Sequence, residues 1–360
     1  MEVNKIISHA LQSMPPSKRQ KAFAKDTSKL IHMGLNENNY GMSPKAVAAL
    51  EDSMAGSHFY PDFAAVLLKQ KVAEQYGLKA ENVLTGAGSS AMIDMIGLTF
   101  LDEGDEVLFS TPTYGAFADM AYLNGGVPVS VPVTEEQKFN LPAMKEKIGE
   151  KTKIVVICNP NNPTGTYVPI GELEAFADTL PEDVLLVMDE AYMEFATEPD
   201  CCSMVDYMKA HPEKPILVLR TFSKYYAMAG LRVGYALDSE ELIGIMRKCS
   251  ASWNLNVCAQ KAAVAGLADQ EYYQEQKAKI VEGREYLEKE MAALGCRVYP
   301  SQSNFIYFDT GKDPAWIQEQ LMEKGIRIGA FEMSRVSVGT MEECQLFLQY
   351  LKEILETAKE

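Results

Sequence analysis

Seven short apolar segments recur through the middle of this chain, at 82–85, 106–110, 127–131, 153–158, 184–189, 216–220 and 232–236. Several are apolar from end to end, the pattern of strands covered on both faces. Stretches of helical periodicity separate them, so the strands are joined by helical crossovers and run mostly parallel. That alternation restricts the chain to an α/β fold with a largely parallel central sheet. In such a sheet the carboxyl ends of the strands share one edge, and ligands bind along it.

The flanking regions carry clear punctuation. Ser43 before Pro44 offers an N-cap and a proline at the first helical position, opening a helix over 45–54. Asp62 is placed to cap a helix that runs to Tyr76 and stops at Gly77. Thr340 and Glu343 form a capping box before a final helix whose apolar stripe includes Phe347, Leu351 and Leu355. After about residue 258 the style changes: a long charged helix at 271–294 precedes strands at 297–299, 305–308 and 335–338. The expected organisation is a large domain over 36–258 and a smaller α+β domain made of 1–35 and 259–360. The arm before Leu35 is expected to pack on the smaller domain or across a partner subunit.

Composition excludes several function classes. With 360 residues, 47% hydrophobic and 23% charged, the chain is long enough for two domains with a sizeable core. A net charge of −16 argues against nucleic acid or an anionic membrane as partner. No run of about 18 apolar residues occurs, and Pro15-Pro16 interrupts an N-terminal region with no signal-peptide core. Seven scattered cysteines, an odd number with no metal-ligand spacing, fit a reducing, cytoplasmic setting and no metal site.

The polar residues gather at strand ends. Asp189 closes the segment 184–189, and Thr221-Phe222-Ser223-Lys224 follows 216–220. Asn162 lies in Asn159-Pro160-Asn161-Asn162-Pro163-Thr164-Gly165, after 153–158, and Gly86-Ala87-Gly88-Ser89-Ser90 opens a helix. Arg232 sits in Gly230-Leu231-Arg232-Val233-Gly234. Four segments thus bring an amine, a carboxylate, hydroxyls and a helix N-terminus to one rim, with a guanidinium nearby. A lysine able to form a Schiff base, a carboxylate for a ring nitrogen and donors for a dianionic phosphate are what pyridoxal 5'-phosphate requires of a protein.

With these pieces in place the chain resembles the fold-type I pyridoxal-phosphate-dependent aminotransferases of class I/II, and within them the histidinol-phosphate aminotransferase-like group. The resemblance runs through nearly the whole chain. Besides the motifs above it rests on Leu35-Asn36-Glu37-Asn38, Tyr60-Pro61-Asp62, Pro112-Thr113-Tyr114, Asp189-Glu190-Ala191-Tyr192 and the segment 335–340. It implies that Lys224 is the catalytic lysine, first bound to the cofactor and then the base that moves the Cα proton. It implies Asp189 at the pyridine nitrogen, Asn162 and Tyr192 at the ring oxygen, and Tyr114 stacked on the ring. Ser89, Ser90, Ser223 and Arg232, helped by Thr221, would hold the phosphate. Tyr60 resembles the tyrosine that reaches the neighbouring subunit's cofactor, which implies a homodimer with shared sites. Arg335 and Asn36 would bind substrate, Arg335 by gripping an anionic end.

The expected reaction is transfer of an amino group from an amino acid, aromatic or otherwise bulky, to a 2-oxo acid such as 2-oxoglutarate. Histidinol phosphate is the alternative donor, and a pyridoxal-phosphate lyase or decarboxylase is an alternative class. The sequence departs from the histidinol-phosphate pattern at Gly325-Ile326-Arg327-Ile328-Gly329, where the arginine lies two positions early. That offset moves a side chain about 6–7 Å along a strand. The loop 330–334 is short, Ser89-Ser90-Ala91 stands where an acidic pair is common, and Asn39 replaces a proline.

Overall fold

Burial on both faces organises the large sheet. Ile154, Val155, Val156 and Ile157 are all fully buried, as are Leu217, Val218 and Leu219. Branched side chains on consecutive positions suit a strand and disfavour a helix, so these runs can only be central strands. The structure is a computed structural model that describes residues 6–15 and 29–357. Its strands, in order, are β1 (Ile31–His32), β2 (Val83–Ala87), β3 (Glu106–Thr111), β4 (Val127–Pro132), β5 (Thr152–Cys158), β6 (Leu185–Asp189), β7 (Ile216–Thr221), β8 (Val233–Leu237), β9 (Arg297–Tyr299), β10 (Phe305–Asp309), β11 (Ile326–Arg327), β12 (Gly329–Ala330) and β13 (Ser334–Ser337).

The central sheet has seven strands in the order β2-β8-β7-β6-β5-β3-β4. Only β8 runs against its neighbours, so the sheet is mostly parallel, as the sequence predicts. A four-stranded antiparallel sheet, β12-β13-β10-β9, forms the smaller unit. The helices Gln270–Ala293 and Met341–Thr357 pack on each other beside it, the second burying Phe347 and Leu351. In the N-terminal arm, β1 pairs with β11, joining Ile31 to Ile326 and His32 to Arg327. Also in the arm, the helix His9–Ser13 lies against the helix Ala116–Leu123 of the large unit, not on the smaller one as expected; residues 1–5 and 16–28 lie outside the described residues.

Three further sequence expectations are corrected. The helix after Asp62 begins only at Val66, because Ala65 takes a left-handed φ of 47°. Asp62 still accepts from the amides of Ala64 (3.0 Å) and Val66 (2.7 Å), but across that kink. Gly86 and Ala87 are strand residues of β2 rather than part of a turn. Arg232 stands outside β8 with φ 56°, which turns it away from strand geometry. The capping box is as expected: Thr340 N donates to Glu343 Oε2 (2.8 Å) and Glu343 N to Thr340 Oγ1 (3.3 Å).

Polar clamps fix the smaller unit to the large sheet. Arg284, from the long helix, donates to the carbonyls of Phe195 and Ser303 (both 3.2 Å) and to Thr197 Oγ1 (2.9 Å). Gln302 Oε1 accepts from the amides of Thr197 (2.7 Å) and Glu198 (3.0 Å). Behind the rim, buried Arg220 pairs with Glu190 (2.8 Å) and Glu194 (3.0 Å). Glu190 also accepts from Ser203 Oγ (2.6 Å) and Met204 N (2.8 Å). This cluster ties the residue after Asp189 to the residue before Thr221. Arg220→Met leaves two carboxylates buried without their cation, which is expected to cost about 3–5 kcal/mol in urea unfolding of the cofactor-free protein. An unchanged midpoint would show that the cluster does not hold the strands together.

Candidate active site

Parallel strands deliver their carboxyl ends to one edge, and β8, being antiparallel, delivers its beginning. Asp189 ends β6, Thr221 ends β7, and Arg232 precedes β8, so all three reach the same rim. The rim opens into a cleft of about 590 Å³. Asn36, Ser89, Ser90, Tyr114, Asn162, Asp189, Tyr192, Thr221, Ser223, Lys224, Arg232 and Arg335 all line it. Of the cofactor and substrate residues expected from the sequence, Tyr60 alone lies elsewhere: it is 80% exposed and stacks on Trp253 with ring centroids 4.6 Å apart.

One end of the cleft is built for an anion. The helix Ser89–Phe100 points its N-terminus there, with Gly88 at φ 82° as its cap. Its free amides and dipole favour negative charge. Arg232 lies against Gly88 so closely that a Cβ on that residue would meet Nη2. Arg232 Nη1 donates to Ser223 Oγ (3.3 Å) and to the carbonyl of Ala229 (2.9 Å). Thr221 is committed to the turn itself: its Oγ1 accepts from Ser223 N (3.1 Å) and donates to Ser223 Oγ (3.0 Å). It therefore positions Ser223.

The middle of the cleft holds the titratable groups. Asp189 is buried and accepts from Ala191 N (3.2 Å). Burial pushes its carboxyl up to about 6, against the pull of that amide. Lys224 Nζ donates to the carbonyl of Leu35 (2.8 Å) and lies 5.8 Å from the centre of the Tyr192 ring. Burial, followed by the charge of Arg335, lowers its ammonium to about 8. Glu37 and Asp189 oppose that shift and Arg232 adds to it. Tyr192 OH accepts from Asn36 Nδ2 (3.0 Å), and Asn36 N donates to Ser337 Oγ (2.9 Å). Burial raises the Tyr192 phenol, keeping it a neutral donor.

At the far end Arg335 is buried between two rings, 5.3 Å from the centre of Phe305 and 4.7 Å from that of Phe331. Its Nη1 donates to Asn162 Oδ1 and its Nη2 to the carbonyl of Gly34 (2.8 Å). Its Nε is buried with no protein partner. Arg327 does not line the cleft; its strand pairs with residues 31–32 instead. Sequence reasoning missed Phe331, which has no motif around it, and Glu37, which stood in a quoted motif without a role.

The donor set fits pyridoxal phosphate. A helix N-terminus with hydroxyls and a guanidinium matches its phosphate, a buried carboxylate its ring nitrogen, and an amine of lowered pKa its aldehyde. A model of the family described as aminotransferase class I and II matches residues 28–351. The chain belongs to the class I and II aminotransferases. It is 37% identical over 328 residues to histidinol-phosphate aminotransferase 2 of Carboxydothermus hydrogenoformans, covering 89% of this chain and 90% of that one. Identity to the histidinol-phosphate aminotransferase of Moorella thermoacetica is 35%, over 91% of this chain and 86% of that one. The crystal structure of the Sinorhizobium meliloti histidinol-phosphate aminotransferase in complex with pyridoxal-5'-phosphate matches with a TM-score of 0.89 at 28% identity, over 98% of both chains. A Thermus thermophilus aspartate aminotransferase structure shares the fold, with a TM-score of 0.83 at 23% identity. The protein is a pyridoxal-phosphate-dependent transaminase of fold type I.

The electrostatics of Lys224 give a direct test. Only the neutral amine attacks an aldehyde, so attachment of the cofactor to cofactor-free protein speeds up as pH rises through about 8. Glu37→Gln moves that midpoint down and Arg335→Leu moves it up, read by the rate of the absorbance change after mixing. A midpoint near 10.5, the ordinary lysine value, would contradict this account.

Proposed function

We propose that this transaminase takes its amino group from histidinol phosphate and passes it to a 2-oxo acid such as 2-oxoglutarate. The observation that carries the reading is the set of relatives at 35–37% identity named as histidinol-phosphate aminotransferases, matched over nearly the full length of both chains. Arg335 adds support, since it brings a buried guanidinium to a cleft with room for an anionic group. The amino-acid donor that the sequence put first is the second reading. It is favoured by one observation: Arg327 is absent from the cleft lining, so a single arginine meets the donor there.

Bound pyridoxal phosphate supplies an electron sink that makes the donor's Cα proton acidic. The chain's residues do the rest. Ser89, Ser90, Ser223 and Arg232 would hold the phosphate, and Tyr114 would cover the ring. Asp189 would keep the ring nitrogen protonated, while Tyr192 and Asn162 would hold the ring oxygen. Arg335 would fix the donor's anionic end, with Asn36 orienting Tyr192 beside it. Lys224, with a pKa lowered to about 8, is tuned to take the Cα proton near neutral pH.

The same reading includes a homodimer. Phe59, Tyr60, Phe63 and Trp253 form an exposed aromatic patch, with side chains 71%, 64% and 44% exposed at Phe59, Phe63 and Trp253. Such patches mark association surfaces, and Tyr60 on that patch would complete the partner's phosphate site. Seven unpaired cysteines support a cytoplasmic setting. Among the described residues no helix is long and apolar enough to cross a membrane.

Single-turnover mixing of holoenzyme with individual donors tests the donor. Loss of the cofactor absorbance is expected to be fastest with histidinol phosphate, ahead of histidine, phenylalanine, tyrosine and aspartate, and absent in Lys224→Ala. Conversion by amino acids alone would overturn the donor and leave the transaminase; steady turnover without a 2-oxo acid would indicate a lyase. Light scattering is expected to give twice the chain mass of 39.9 kDa. Mixing Tyr60→Ala with Lys224→Ala subunits should yield more activity than the average of the two parents, because one hybrid site contains both native residues. No gain on mixing would separate Tyr60 from the partner's site.

A further inference from the structure

The hairpin that carries Arg335 has a second feature pointed at the cleft. β12 and β13 pair so that Gly329 lies opposite Arg335, and Phe331 N donates to Met333 O (2.9 Å) to close the tip. Phe331 folds back over the hairpin rather than out into solvent. A Cβ on residue 329 would meet Phe331 Cε2 at 2.8 Å, too close for real atoms. Glycine at 329 is therefore what lets the ring lie down over Arg335. The ring remains 48% exposed and lines the cleft.

This arrangement limits how an anion meets Arg335. Two aromatic rings crowd the guanidinium, and Asn162 and Gly34 accept from its two Nη atoms. Each Nη keeps a second hydrogen beyond those bonds, so an anion in the cleft that Arg335 lines is met at the guanidinium edge. Phe331 and Lys224 line the same cleft as Arg335, so a donor held between Arg335 and Lys224 has the Phe331 ring among its walls.

We propose that Phe331 is a specificity-determining residue for the amino donor: held over Arg335 by the close approach at Gly329, it forms the apolar wall on which a planar donor ring lies while Arg335 holds the donor's anion. The proposal rests on the transaminase reading and deepens it, assigning donors that combine an anionic group with a flat ring. An offset or edge-on ring contact adds affinity beyond area burial, and it does so in the ground state and the transition state alike. The wall therefore acts on binding more than on the chemical step.

The test compares ring-bearing and ringless ligands on holoenzyme. Imidazolylpropyl phosphate and propyl phosphate, which lack the amine and cannot react, are titrated by calorimetry. Histidinol phosphate and alaninol phosphate, and phenylalanine and alanine, are compared as donors. Phe331→Ala is expected to weaken imidazolylpropyl phosphate and raise KM for ring-bearing donors by about fivefold to tenfold, with kcat and all ringless ligands within about twofold. Gly329→Ala, at a position without positive φ, keeps the ring but displaces it, and is expected to shift the same ligands in the same direction. Equal shifts for ring-bearing and ringless ligands would overturn the proposal, since Phe331 would then serve only to position Arg335. No shift for either would overturn it as well. Refusal of histidinol phosphate by the native enzyme would overturn the donor assignment instead, and the phenylalanine–alanine pair would still decide the role of Phe331.

Discussion

Parallel pairing is the constraint on which the cleft depends. β5, β6 and β7 lie side by side with matched direction, so Cys158 stands beside Asp189 and Asp189 beside Leu219. Each strand then releases its chain at the same edge, and three loops far apart in sequence become neighbours. The one reversed strand, β8, contributes through its start, which brings Arg232 to the cup formed by the helix at Ser89. Buried Arg220, bonded to Glu190 and Glu194, fastens this edge from behind. Charges buried this deeply are retained only with good pairing geometry, and here the paired residues adjoin the carboxylate and the hydroxyl turn that line the cleft.

Electrostatics divide the molecule. The chain carries a net charge of −16, yet Arg232, Lys224 and Arg335 converge on one cleft. A positive pocket in an acidic body attracts anions locally while repelling polyanions at large. Both the cofactor's phosphate and an anionic donor suit that field. Burial lowers the proton affinity of Lys224, and the same convergence adds to it, because Arg335 and Arg232 disfavour its charged form. Anion recognition and amine activation thus share the same cations. Aromatic rings complete the pattern: Tyr192 meets Phe305 edge-on at 5.0 Å, and Arg335 lies between Phe305 and Phe331.

Much of this was legible in the sequence, for physical reasons that differ between elements. The central strands announced themselves because burial on both faces demands unbroken apolar runs, and their ends were read to within one or two residues. The convergence of Ser89, Asn162, Asp189, Ser223 and Lys224 on one cleft was legible because each follows a strand that ends at the same edge. The reversed direction of β8 was not legible, since an apolar strand reads the same either way. The left-handed turns at Ala65 and Arg232 escaped notice because neither is a residue type that marks positive φ. Arg220 read as one more strand position; its role depends on Glu194, which the 3-10 turn Met193–Phe195 brings within reach. Phe331 was invisible because its place follows from a tertiary contact with Gly329 and from no pattern of spacing.

The central claim is that Lys224 is the residue to which the cofactor is attached. Borohydride reduction of the holoenzyme, followed by digestion and mass spectrometry of the peptides, tests it without reference to any donor. The account predicts one pyridoxyl-modified peptide, with the modification on Lys224 in the sequence Thr221-Phe222-Ser223-Lys224. Modification at another lysine, with Lys224 recovered unmodified, would contradict it.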